Sequence, residues 1–284
     1  MTVAMQRPHF VEATMEHASR RSFLCAAGLG LAGTFIARRA AAQAPASAGP
    51  VDAALIDDLV AANKILVDQG VVDGYGHVSV RHPADPQRYL MSRSIAPELV
   101  TAADVMEYDL DSSAVDARGR ASYLERFIHG EIYRARPDVK AIVHNHSPSV
   151  IPFGVSTVPL RPLYHMSAFL GGGVPVYDIK TASGRSTDML VRDAALGKSL
   201  AQTLGPRPVA LMRGHGAVVV AASLPVVVFR SVYTEMNARL QAQAMALGGP
   251  VTYLDDEEAR QAGVSVGGTI PRPWELWRRK ALGR

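Results

Sequence analysis

Between residues 51 and 248, hydrophobic positions recur alternately at helical and at strand spacing, with no internal repeat and no linker long enough to divide the stretch. Strands intermixed with helices must bury both faces of one sheet, so the pattern predicts a single α/β domain with helices on either side of it. Helices are expected at 51–70, where Gly70 supplies a stop, and at 124–136, closed by Pro137. Two more are expected at 188–204 and 226–247. Strands are expected at 77–81, 88–91, 139–143, 209–212 and 217–221. Residues 45–50 read as a linker, and 249–284, which carries Trp274 and Trp277, as a C-terminal tail that docks across a surface or a neighbouring subunit.

Charge narrows the class of partner. In residues 1–44, Arg7, Arg20, Arg21, Arg38 and Arg39 oppose only Glu12 and Glu16, which accounts for +3 of the chain's formal +4. The remainder is close to neutral and has no lysine- and arginine-rich run, so a phosphate-backbone footprint is missing and nucleic acid is set aside.

The basic leader has its own logic. Ser19-Arg20-Arg21-Ser22-Phe23-Leu24 precedes a short, glycine-rich apolar run ending near Ile36, followed by Arg38-Arg39-Ala-Ala-Ala-Gln-Ala44. This resembles a twin-arginine export signal over residues 1–44 and predicts a periplasmic protein; the alternative is a basic leader on a cytoplasmic one. The apolar run is shorter than the ~20 residues a spanning helix needs, so no membrane association is expected once the signal is removed. The single cysteine, Cys25, lies in this leader. A mature chain then has no internal disulfide, no thiolate metal ligand and no cysteine nucleophile.

Histidine carries the chemical signal. His144 and His146 close the strand at 139–143, and residues i and i+2 of an extended chain share a face, which suits two ligands of one cation or a hydrogen-bonded core pair. His215, between Gly214 and Gly216, stands where the backbone turns easily. Three neutral imidazoles with an open position make a catalytic zinc-type site. Glu125, 19 residues before His144, opens the helix that leads into the histidine strand and is placed to return over the metal. As a first-turn glutamate it would also suit the helix dipole alone.

Gly76-His77-Val78-Ser79-Val80-Arg81, Glu125-Arg-Phe-Ile-His129, Val143-His-Asn-His146-Ser, Gly214-His-Gly216 and Tyr233-Thr-Glu235, in this order and spacing, resemble the class II aldolase/adducin family. The resemblance implies a three-layer α/β/α domain with a central mixed sheet, and a homotetramer with active sites at subunit contacts. It also implies a divalent metal on His144, His146 and His215. Zinc is the first choice, with manganese, cobalt or iron as alternatives. Glu125 matches the family's acid/base. Retention of all three histidines favours an enzyme over the non-catalytic adducin type.

The loops that grip phosphate in the sugar-phosphate members are altered here. They read Gly76-His77-Val78-Ser79, Ser92-Arg93-Ser94-Ile95 and Tyr123-Leu124-Glu125. His77, Ser92, Arg93 and Ser94 are therefore candidate contacts to a small carboxylate or hydroxy-carbonyl substrate, although Arg93 also reads as an ordinary solvated arginine. Tyr164 and His165 fall where sugar-phosphate members carry a proton-transfer tyrosine, and the sequence leaves open which of them faces the metal. His129 reads as a packing histidine one turn beyond Glu125. The expected reaction is metal-dependent carbon–carbon cleavage through an enolate or enediolate, with decarboxylation of a hydroxylated or keto acid favoured. Aldol cleavage is the alternative, and a non-catalytic metal or small-acid binding protein is the rival from another class.

Overall fold

The computed structural model describes residues 46–283. The export signal expected at 1–44 lies outside the described residues. Helix α1 (Ala53–Asp68) begins at Asp52, whose carboxylate accepts the Ala54 N–H, and the chain leaves it through Gly70 at φ +68°. Seven strands follow: β1 (His77–Arg81), β2 (Arg88–Ser92), β3 (Val105–Asp109), β4 (Ala141–Asn145), β5 (Val176–Tyr177), β6 (Val209–Met212) and β7 (Gly216–Ala221). They form one sheet in the order β3-β2-β1-β4-β7-β6-β5. Only β5 and β6 run parallel, so the sheet is mixed, as expected.

The central strands are buried along their whole length because both faces are covered. Alternate residues of β4, β6 and β7 divide cleanly between two cores. Ala141, Val143, Val209, Leu211, Ala217 and Val219 pack on one side with Leu59 and Leu66 of α1, Val227 and Val228 of α6 (Leu224–Ala246) and Trp274 of α8 (Pro271–Leu282). Ile142, Ala210, Met212, Val218 and Val220 pack on the other with Ile128 and Ile132 of α2 (Phe127–Ala135) and Leu200 and Leu204 of α5 (Ala194–Leu204). Helices therefore cover both faces of one sheet.

The long helix α6 also holds polar loops in place. Glu235 accepts hydrogen bonds from the Ser147 hydroxyl at 2.7 Å and the Ser149 N–H at 3.1 Å. Asn237 accepts from Leu163 N–H at 2.8 Å and donates to the Arg161 carbonyl, while Gln241 accepts from Arg161 N–H. These buried side chains satisfy loop backbone that would otherwise be desolvated without partners.

Three features depart from the expected elements. The helix expected at 188–204 begins only at Ala194, capped by Asp193, because the segment before it spends its backbone groups elsewhere: the Met189 carbonyl and the Val191 N–H both bond site residues. The helix expected from 124 opens as a 3-10 turn, Leu124–Arg126, and becomes α-helical at Phe127. Strands β3 and β5, and the short helices α3 (Ile151–Val155) and α4 (Ile179–Ser183), lie in stretches with no periodicity long enough to register.

The C-terminal stretch forms α7 (Asp256–Gly267) and α8. Trp274 sits in the core shared with α1, and Arg278 and Lys280 pair with Asp58 and Asp68 of that helix. No helix among the described residues is long and apolar enough to cross a membrane.

Trp274→Ala removes a large buried side chain from the α1–α8 contact and is expected to cost about 3 kcal/mol, read as a lower denaturant midpoint with α8 becoming protease-sensitive first. Gly216→Ala is expected to be more damaging. A Cβ there would lie 2.0 Å from the Asn145 carbonyl oxygen, so the β4–β7 pairing has to separate; loss of soluble protein, or of metal uptake in whatever folds, is the readout.

Candidate metal centre

Strand pairing brings the histidines together. β4 and β7 run antiparallel with Asn145 opposite Ala217 and His144 opposite Val218. β6 and β7 are joined by a tight turn, Arg213-Gly214-His215, in which Gly214 takes φ +62° and His215 N–H donates to the Met212 carbonyl at 3.0 Å. The tip of this hairpin stands beside the end of β4. His144 and His215 thus face each other with ring centroids 4.9 Å apart, and His146, just beyond the strand, lies 5.1 Å from His144 and 4.7 Å from His215.

Glu125 arrives from the opposite direction, on the 3-10 turn before α2. Its Oε2 lies 3.5 Å from His144 Nε2 and 3.4 Å from His215 Nε2, while Oε1 accepts the Val191 N–H at 2.9 Å. One ligand atom from each of Glu125, His144, His146 and His215 falls within 4.8 Å of the other three.

The tautomers follow from the acceptors. His144 Nδ1 faces the Ala217 carbonyl at 3.2 Å and His215 Nδ1 faces the Met189 carbonyl at 2.9 Å. A carbonyl oxygen only accepts, so both Nδ1 atoms carry the proton, and when the rings are neutral both Nε2 atoms turn a lone pair to the centre. The Nε2 of His144 is fully buried and has no hydrogen-bond partner, the condition a bound cation relieves. Three imidazoles, a carboxylate and an open side fit a catalytic divalent ion, and no cysteine stands among the described residues to close the set.

Electrostatics agree. Burial raises the Glu125 carboxyl, but the neighbouring His144 and His215 rings outweigh it and hold the group well below the ordinary carboxylate range. Burial, then His144 and His215, lowers His146 to about 4, so that ring is neutral at physiological pH. For His215, burial acts downward and is overcome by Glu125, which raises the ring above its ordinary value. The carboxylate thus draws one positive charge into the cluster, as a proton on His215 or as a metal ion.

Glu125, His144 and His146 form one wall of a cleft of about 470 Å³, and His215 is not among its lining residues. Its other walls are Gly74, Tyr75, Gly76, His77, Ser94, Ile95, Ala96, Tyr123, Leu124 and Leu190. Tyr75 and Leu124 are exposed at its edge, and the Tyr75 ring lies 6.1 Å from that of His146 at 28°. Tyr123 donates to the Ile95 carbonyl at 2.5 Å and pins the loop that follows β2.

Of the other residues singled out from the sequence, His77 and Ser94 line this cleft. Ser92 is buried behind the wall with its hydroxyl 3.2 Å from that of Tyr123. Arg93 does not line the cleft; its Nε pairs with Asp104 Oδ1 at 2.6 Å, which makes it a strut of the β2–β3 edge. Tyr164 and His165 are also absent from the cleft, and His165 borders a separate hollow with Met166 and Tyr233. Asn237 fixes that segment on both sides, through Leu163 N–H and the Ser167 hydroxyl. The Met189 carbonyl, the Val191 N–H and Tyr75 were not singled out. The first two are backbone groups with no side-chain signature, while an aromatic between Gly74 and Gly76 was a signal available in the sequence.

Comparison with known proteins accords with this geometry. Residues 57–242 match the family described as Class II Aldolase and Adducin N-terminal domain. The chain is 38% identical to Decarboxylase tropJ of Talaromyces stipitatus over 238 residues, 76% of this chain and 90% of that protein. It is 30% identical to the 3,4-dihydroxyphthalate decarboxylase of Arthrobacter keyseri over 210 residues, 69% of this chain and 80% of that one. The solved L-fuculose 1-phosphate aldolase from Glaciozyma antarctica PI12 superposes with a TM-score of 0.67 at 22% identity, covering 83% of this chain and 95% of its own, and so shares the fold. With the family matched across all seven strands of the sheet and the histidine set in place, the chain belongs to the class II aldolase and adducin family.

Proposed function

We propose that this lyase decarboxylates a hydroxylated aromatic carboxylic acid, with a divalent ion, zinc first among the candidates, held by His144, His146 and His215. The observation that carries the reading is the composition of the cleft: Tyr75, Ile95, Tyr123, Leu124 and Leu190 make it apolar and aromatic, and no lysine or arginine is among its lining residues. Such walls suit a flat ring; a phosphate dianion would find no cationic side chain there. The identities of 38% and 30% to two decarboxylases support the same choice over a phosphorylated sugar.

A divalent ion held by the three imidazoles would supply positive charge that lowers the cost of the negative charge left as carbon dioxide departs. The protein supplies the proton chemistry. Glu125 is ionised at the outset, so it first accepts a hydroxyl proton from the substrate at Oε2 and then returns it to the carbon that has lost its carboxylate. The Val191 N–H keeps Oε1 occupied and presents Oε2 alone. Tyr75 and Leu124 cover the ring and exclude water from the carbon being protonated.

Two outcomes are expected. Incubation with catechol carboxylates and related hydroxyaromatic acids should release carbon dioxide, reversibly lost on chelation; release of an aldehyde from a hydroxy-carbonyl substrate, with no carbon dioxide from any acid, would assign the site to aldol cleavage. His146→Ala should lose both metal retention, read by elemental analysis, and turnover. Glu125→Gln should keep the metal while kcat falls by about 10²–10⁴.

A further inference from the structure

A line of buried hydrogen-bonding groups leads from the cleft into the core and takes no part in the chemistry above. His77 Nδ1 lies 2.6 Å from His129 Nε2; His129 Nδ1 lies 2.6 Å from the Ser79 hydroxyl; that hydroxyl lies 2.8 Å from Tyr133 Oη; and Tyr133 Oη lies 3.5 Å from the Lys140 carbonyl oxygen. His129, Ser79 and Tyr133 are buried completely or nearly so, and His77 is only 4% exposed. The outer end is the only one that reaches the cleft. There the His77 ring stands between those of Tyr123 at 4.6 Å and His144 at 5.1 Å, because His77 and His144 are directly paired across β1 and β4.

One polarity of the line also satisfies the inner end. The Lys140 carbonyl only accepts, so Tyr133 donates to it; Ser79 then donates to Tyr133, His129 Nδ1–H donates to Ser79, and His77 Nδ1–H donates to His129 Nε2. In this polarity each group bonds its neighbour, and the Nε2 of His77 is left as a lone pair. The line does not relay protons. Delivering one to the cleft would leave a tyrosinate at Tyr133, whose hydroxyl burial already pushes well above its ordinary range, and no proton donor stands behind it. Burial likewise lowers His129 to about 3, so the line is uncharged. The Arg81 guanidinium, 4.6 Å over the Tyr133 ring, clamps the inner end.

We propose that His129, Ser79 and Tyr133 are positioning residues that lock His77 in its Nδ1–H tautomer, so that its Nε2 accepts a hydrogen bond from a hydroxyl of the substrate. This rests on the reading that the substrate occupies the cleft. A polar atom fixed in a desolvated wall rejects an analogue without the matching hydroxyl, because the acceptor is then left unpaired. His77 becomes a determinant of hydroxylated over unhydroxylated acids.

The test uses the full-length metal-loaded protein labelled with ¹⁵N-histidine, with the His77 signals identified by their loss in His77→Asn. Two-bond proton–nitrogen correlations should show His77 protonated at Nδ1. Ser79→Ala, which removes a single oxygen from the line, should give mixed His77 tautomers with metal content unchanged. It should also lower kcat/KM for the hydroxylated acid about tenfold, with much less effect on the analogue lacking the hydroxyl, and no further effect in the His77→Asn background. Should Ser79→Ala unfold, Tyr133→Phe makes the same test from the inner end. A His77 protonated at Nε2 in the unaltered protein overturns the proposal. So does a Ser79→Ala loss that is equal for both substrates or persists without His77. The tautomer measurement needs no turnover, so it decides the proposal even if no acid is decarboxylated.

Discussion

The antiparallel register of β4 on β7 is the constraint from which the site follows. It sets Asn145 opposite Ala217, and that pairing alone puts the ends of two strands and the tip of the β6–β7 hairpin at one point on the sheet. A slip of one residue would turn His144 to the opposite core and leave a polar ring among aliphatic side chains. The close approach at Gly216, where no side chain fits against the Asn145 carbonyl, makes such a slip costly and holds His215 near His146.

Around this point three buried side-chain atoms are paired with backbone. The carbonyls of Ala217 and Met189 take the Nδ1 protons of His144 and His215, and the Val191 N–H takes one oxygen of Glu125. The consequence is a set of ligand atoms with their proton-bearing sides engaged elsewhere and their lone pairs converging. His144 Nε2 is the exception, buried and without a partner, and it points to the centre where a cation would sit. The segment from Gly184 to Asp193 remains irregular for the same reason: residues that donate and accept across to another element cannot also complete a helix.

Much of the fold was legible because the sheet is covered on both sides. Apolar runs at 141–143, 209–212 and 217–221 have few alternatives, and β4, β6 and β7 fall close to those positions. The two-residue strand β5 and the half-buried edge strand β3 were not legible, since edge pairing depends on a neighbour rather than on a strong pattern of its own. The substrate wall was less legible than the metal ligands. Arg93 carries a charge that suits an anion, yet a carboxylate at Asp104, brought close by β2–β3 pairing, engages it instead. His129 reads from the chain as a packing residue one turn beyond Glu125, but helix α2 turns it toward His77 and Ser79.

By itself, the sequence determined the α/β alternation, the three histidines with their glutamate, and the altered phosphate loops. These depend on residue identity and short-range spacing, which the chain states directly. Tertiary structure alone decided which nitrogen of His144 and of His215 faces the centre, that Arg93, Tyr164 and His165 stay out of the cleft, and that Tyr75 stands at its edge. Those outcomes turn on backbone carbonyls and side chains contributed by distant strands, and a linear pattern holds no record of which distant atoms become neighbours.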